Sequence, residues 1–302
     1  MTNSETEPPH QPLSAASTAI LVAVVMLWGA NSVAVNYSVD SLPPVAVAGL
    51  RFAMGTFVLF FWCLIERTSF RITRQEAWMS LDTGCFLFTQ ISTFNIGVKL
   101  SNSTHGAMLV NTFVFFVAAI EHFAGADRLN ARRMIGLVLA AVGVVLVMQT
   151  RETDSHPEDF LRGDALLILS AILLAIRVVY IRSAVQHMQP SKLMFWHGVF
   201  GVAMFAATSL ATESFADAKF TMPATLGLLY QGLVVAGLCF VLHASLLKKH
   251  SASQVAVFSF ATPVFAFGFS VVLRGEPFTI FVVLGACCVA LGIWLVTAAS
   301  RQ

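Results

Sequence analysis

Charge is scarce in this sequence, and that scarcity bounds the fold. Only 11% of the 302 residues are Asp, Glu, Lys or Arg, while 57% are hydrophobic, and the mean hydropathy is +0.78. A soluble domain carries roughly 25% charged residues, so this composition belongs in a bilayer. The formal net charge is +2 with no basic cluster, which argues against a nucleic-acid partner. Cys63, Cys85, Cys239, Cys287 and Cys288 lie inside apolar runs without CxxC or Cys/His spacing and read as small buried hydrophobes. Absent too are HExxH, a Gly-flanked Ser with a plausible His partner, paired catalytic aspartates and a Walker motif. Neither an intramembrane enzyme nor ATP coupling within this chain is favoured, and no cofactor or metal is called for. No Asp or Glu sits in the middle of an apolar run, so an evident proton carrier is missing. Facilitated export or exchange fits that better than a tightly proton-coupled pump. Residues 1–16 lack Lys and Arg, unlike the basic start of a signal peptide. They read as a disordered cytoplasmic tail before a retained first span.

What the chain does have is apolar length. Ten runs of about the 20 residues that a spanning helix needs fall near 17–38, 44–65, 77–98, 103–123, 131–149, 164–184, 191–210, 224–246, 252–272 and 277–298. The predicted fold class is an all-α membrane protein of ten transmembrane helices. Residues 17–149 and 164–298 form two five-span halves, joined by an acidic linker at 150–163 and followed by a short tail at 299–302. Lys and Arg in the connections set the orientation. With a cytoplasmic N-terminus, the inside segments hold eleven of them (Arg67, Arg71, Arg74, Arg128, Arg132, Arg133, Arg182, Lys192, Lys248, Lys249 and Arg301) and the outside segments five (Lys99, Arg151, Arg162, Lys219 and Arg274). Both ends are therefore expected inside. Five spans per half is an odd number, so the second half enters the membrane from the opposite side. That is the plan of an inverted-topology repeat, in which one midplane site faces either side in turn.

The repeat is written most plainly in residues 111–148, two apolar runs around a polar hinge at Asp127. Shifted by 149, Asp127 falls on Glu276, Gly136 on Gly285 and Gly143 on Gly292. A spacing of seven keeps both glycines of each pair on one helix face, where a neighbouring helix can approach closely. In the first two spans of each half the shift is 146, set by Pro44 over Pro190 and Gly55 over Gly201. At those registers Asn31 lands on Arg177, Arg51 on His197, Asp82 on Gln231 and His105 on Gln254.

Together the W-G-A-N of the first span (Trp28 to Asn31), the L-R-F-A of the second (Leu50 to Ala53), the D-R-L and G-E-P hinges and the G-D-A-L-L opening of the sixth span (Gly163 to Leu167) resemble the EamA-type transporters of the drug/metabolite transporter superfamily. The resemblance covers residues 17–298. It implies export or exchange of small metabolites, often amino acids or related amphipathic compounds, across a bacterial inner membrane. Asp127 stands where the family commonly has Glu, and Arg177 where its sixth span is usually uncharged.

Charged groups at mid-membrane are costly and usually face a cavity or a partner. Arg177 lies near the centre of the sixth span, sharing a helix face with Ser170 and Tyr180. It reads as a guanidinium for a substrate carboxylate, or as a structural cation held between helices. Further candidate substrate-binding residues are Trp28 and Asn31, one turn apart; Gln90 in the third span; His105 and Asn111 in the fourth; His197 in the seventh; and Gln254, the repeat mate of His105. Trp196 and His243 are lesser candidates. Arg51, Asp127, Pro263 and Glu276 read as gating or structural groups: Arg51 by snorkelling outward, Pro263 by permitting a kink. The expected partners are a small solute and the lipid bilayer, and no motif specifies an oligomeric state. A channel or a receptor on the same bundle is the alternative.

Overall fold

The computed structural model describes residues 13–39, 41–101, 103–125, 129–148, 160–274 and 280–299, and among them there is no strand. The chain runs α1 (Ala15–Val39), α2 (Pro44–Ile65), α3 (Arg74–Leu100), α4 (Ser103–Val110), α5 (Phe113–Phe123), α6 (Ala131–Met148), α7 (Phe160–His187) and α8 (Pro190–Thr212). It continues through α9 (Met222–Leu229), a π-helical stretch (Tyr230–Cys239), α10 (Phe240–Leu247), α11 (Ala252–Ala256), a 3₁₀ stretch (Val257–Ala261), α12 (Thr262–Arg274) and α13 (Ile280–Ala299). Among the described residues, five segments are long and apolar enough to cross a membrane: Pro44–Ile65, Leu161–His187, Pro190–Thr212, Met222–Leu247 and Ala252–Phe269. The hinges carrying Asp127 and Glu276 lie outside the described residues.

Charge is spent on helix ends. The first-turn N–H groups of a helix have no partner within it and carry partial positive charge. Pro44 begins α2, and the next two N–H groups, of Val45 and Ala46, donate to the two oxygens of Glu213 at 2.7 and 2.8 Å. Thr73 and Glu76 cap α3 reciprocally, each side chain accepting from the other's N–H. Pro190 begins α8, and the Ser191 hydroxyl donates to Glu66 at 2.5 Å. Buried Glu121, on α5, caps α11 by accepting from Ala252 and Ser253 N–H, both at 2.7 Å. Its ion pair with Arg182 at 3.7 Å ties α7 to the same point.

Where helices need contact without a hydrophobic drive, small residues supply it. Helices α6 and α13 approach backbone to backbone. A Cβ on Gly136 would lie 2.8 Å from the Gly292 carbonyl oxygen, and one on Gly143 would lie 2.6 Å from that of Gly285. Both separations are shorter than any side chain tolerates, so these positions demand glycine.

Gly143→Leu is therefore expected to destabilise the bundle by about 1–3 kcal/mol through overpacking, read as a lower melting temperature in detergent. Val142→Leu, on the exposed face one residue away, serves as the control and should melt like the wild type. Equal melting of all three proteins would contradict the close α6–α13 seam.

Candidate functional site

Two chain breaks shape the interior. Asn111 and Thr112 interrupt the helix between α4 and α5, and the Asn111 amide turns back to donate to the Ala107 carbonyl at 2.6 Å. Pro263 has no N–H to return to the Ser259 carbonyl. That carbonyl accepts instead from Thr262, in a tighter turn, so the 3₁₀ stretch ends where α12 begins. Asn111, Ser259 and Thr262 then face a cavity of about 200 Å³.

The rest of the wall is aromatic and cationic. Trp28 enters from α1, Phe113 from α5, Arg177 from α7, Met194 from α8, and Phe240 and His243 from α10. The Trp28 ring packs against His243 at 5.1 Å between centroids and edge-on against Phe240 at 6.4 Å. The Arg177 guanidinium lies over the Phe240 face, 5.5 Å from its centroid, an arrangement that attracts the cation to the ring's negative face. The residue is only 8% exposed. Its hydrogen bond to Gln90 is long, from Nη1 to Oε1 at 3.4 Å, while its Nε has no partner.

Gln90 is held in place to make that contact. Its amide nitrogen donates to Ser170 Oγ at 3.1 Å, and Ser170 donates to the Gln90 carbonyl at 3.0 Å. The amide oxygen is thereby left pointing at the guanidinium. Trp28 Nε1 is a second buried donor without a partner. The site thus offers two unsatisfied N–H donors, aromatic walls, and hydroxyls from Ser259 and Thr262. That combination suits a solute with an anionic head and an apolar body.

Of the residues singled out by sequence, Trp28, Asn111 and Arg177 line the cavity, and Gln90 stands behind Arg177. His197 is buried beside them, its ring 6.2 Å from Phe240 and 6.5 Å from Phe52, with Nε2 unpartnered. Arg51 does not simply snorkel: its guanidinium lies over the Phe52 ring at 4.8 Å, and its Nε is buried. Others lie elsewhere. Tyr180 shares the α3-facing side of α7 with Ser170 and Arg177, but its hydroxyl donates to Asp82 at 2.7 Å and it is not part of the wall. Gln254 is buried in α11 near the Glu121 cap, and Asn31, whose side-chain Oδ1 is buried without a partner, is not part of the wall. His105 is in α4, its side chain outside the described residues. Sequence reading passed over Phe240, Ser259 and Thr262. Pro263 was the available signal for the last two, since the residues before a proline inherit its freed carbonyl. A larger apolar groove of about 580 Å³ between α1, α9 and α12 has no charged side chain among the described residues that line it and is less suited to polar recognition.

Similarity to known proteins bears on this arrangement. The family model described as the EamA-like transporter family matches the chain twice, over residues 15–149 and 161–298. The chain belongs to that family. Among curated relatives, the uncharacterized transporter YoaV of Bacillus subtilis is 26% identical over 281 residues, covering 92% of this chain and 95% of its own. A probable amino-acid metabolite efflux pump of Salmonella typhimurium is 25% identical over 288 residues, covering 91% of this chain and 93% of its own. An Escherichia coli protein of the same description is 22% identical over 285 residues. A solved crystal structure superposes with a TM-score of 0.83 over 95% of this chain and 99% of its own, at 16% identity, a likeness of fold. This EamA-like protein is an integral multi-pass membrane protein of a transporter family, and those names indicate transport rather than catalysis.

Tyr180→Phe separates the cavity from its surroundings. It should lower thermal stability by about 1–2 kcal/mol through loss of a charge-assisted hydrogen bond and leave solute affinity within about twofold. A large loss of affinity at unchanged stability would put Tyr180 in the site.

Proposed function

We propose that this protein is a secondary transporter that exports or exchanges small carboxylate-bearing metabolites, amino acids or related amphipathic compounds among them, across the inner membrane by alternating access. The observation that carries the reading is Arg177: a buried guanidinium on the cavity wall with no carboxylate partner among the described residues. A cation in that position is costly unless an anion joins it. A substrate carboxylate would take the free donor edge in a charge-assisted contact. Trp28 Nε1 is available for a second polar group, and Phe113, Phe240 and Trp28 cover the apolar remainder. The direction is taken from the relatives described as efflux pumps.

In this reading ten spans form two inverted repeats, and several reciprocal contacts support it. Gly55 packs on Ala236 while Gly201 packs on Leu87; at offsets of 146 and 149 each pair is the counterpart of the other. Tyr180 bonds to Asp82 as Gln231 bonds to the Ala34 carbonyl, again counterparts. Gly136 meets Gly292 and Gly143 meets Gly285, the crossing expected of a two-fold axis between α6 and α13. The breaks at Asn111 and in Val257–Ala261 are also repeat-related, and interrupted helices facing the site are the usual place for solute binding in inverted-repeat transporters. Both termini are cytoplasmic in this orientation, by the excess of Lys and Arg on that side.

The test is saturable counterflow in proteoliposomes with a panel of labelled amino acids and other carboxylates, comparing wild type with Arg177→Ala and Arg177→Lys. Losing one charge-assisted contact corresponds to about a ten- to hundredfold loss of affinity, with Lys recovering part of it. Intact transport of the carboxylate in Arg177→Ala would return Arg177 to a structural role. Sustained conductance without saturation would favour a channel.

A further inference from the structure

A second guanidinium, that of Arg51 on α2, lies near the site, half-buried and with its Nε fully buried. Every carboxylate of the described helices is committed near a helix end: Glu66 to Ser191 and Trp62, Glu76 to Lys192 and the α3 cap, Asp82 to Tyr180, Glu121 to the α11 cap, Asp164 to Ser101, and Glu213 to the α2 start. None is shared with Arg51 or Arg177, each of which keeps a buried Nε without a partner. The two cations are joined by an aromatic bridge. Arg51 stacks on Phe52, Phe52 packs on Phe240 with centroids 5.7 Å apart, and Arg177 stacks on Phe240. Two like charges at the ends of one aromatic cluster repel, and His197 packs on the same two rings, Phe52 and Phe240, while His243 packs on Trp28. In a medium of low dielectric such repulsion is poorly screened.

We propose that Arg51 is a second anion-binding group of the same transport pathway, and that its preferred solutes are dicarboxylates, which bring one carboxylate to each guanidinium. This rests on the reading that Arg177 receives a carboxylate. A monocarboxylate at Arg177 leaves Arg51 uncompensated, and at Arg51 it leaves Arg177 so. A solute with two carboxylates on a short carbon chain compensates both while its methylenes lie along the Phe52–Phe240 pair. Arg51 stands near the start of α2 and Arg177 deeper in α7, so the solute would lie along the pathway.

Glutarate and its monoamide, nearly equal in size but one charge apart, form the probe pair. Each is tested as an inhibitor of counterflow and as a ligand of purified protein in detergent, in wild type, Arg51→Gln, Arg51→Lys and Arg177→Gln. Wild type should prefer glutarate by about ten- to a hundredfold, the scale of one charge-assisted contact. Arg51→Gln should bring glutarate down to the monoamide and leave the monoamide within about twofold, and Arg51→Lys should restore much of the preference. Arg177→Gln should weaken both ligands. Equal affinity of glutarate and monoamide for wild type, or a parallel loss or no loss of both in Arg51→Gln, would overturn the role of Arg51 while leaving Arg177 standing. Unchanged binding of both in Arg177→Gln would overturn the carboxylate reading itself.

Discussion

An Arg side chain carried into the middle of a hydrophobic bundle needs compensation, and much of the interior of this protein is arranged around that need. The Arg177 guanidinium is buried, and the acids of the described helices are engaged by other partners. What it receives is partial: a ring face from Phe240 and one distant amide oxygen from Gln90, itself oriented by Ser170. These contacts moderate a buried cation without neutralising it. The shortfall lies on the wall of a cavity, where the proposed carboxylate would meet it.

The scaffold keeps that shortfall in place through contacts that leave little freedom. The glycines of α6 and α13 let two backbones meet, and the π-helical stretch presses Gly232 and Gly237 against Met54 and Val58 of α2. Tyr230 anchors the same stretch to α1 by donating to the Leu27 carbonyl at 2.9 Å. Around the cavity the chain is less regular, with a helix break at Asn111 and a 3₁₀ turn ending before Pro263. Rigid seams at the periphery and interrupted helices at the centre are the distribution expected of a protein whose halves rock about a binding site. In the proposed repeat the sequence positions corresponding to the Glu121–Arg182 pair hold Ser270 and Asn36, neither of them charged.

Much of this was legible in the sequence because lipid makes its demands residue by residue. Low charge and apolar runs of spanning length follow from the absence of water, and the seven-residue glycine spacing anticipated a close helix contact, though not that α6 and α13 would supply its two sides. Arg177, Trp28, Asn111 and Gln90 stood out because polar groups are rare among such neighbours. Tyr180 and Gln254 stood out for the same reason, yet rarity does not reveal where a side chain points. Tyr180 meets Asp82 across two helices, a pairing that no spacing within either helix encodes. Phe240 was invisible for the opposite cause: one of 26 phenylalanines, it is distinguished only by the cation above it. The π-helical stretch likewise has no marked local signature, because tertiary contact with α2 accompanies it.

The central claim is that a solute carboxylate completes the hydrogen bonding of Arg177. Solid-state NMR in lipid can measure the distance from a ¹³C-carboxylate on a bound, saturably transported solute to the ¹⁵N-labelled guanidinium of Arg177, assigned by its loss in Arg177→Lys. A carboxylate accepting from the guanidinium places its carbon within about 4 Å of a guanidinium nitrogen, and that is the result predicted. A bound carboxylate showing no dipolar contact with Arg177 would contradict the account and leave the buried guanidinium as part of the scaffold.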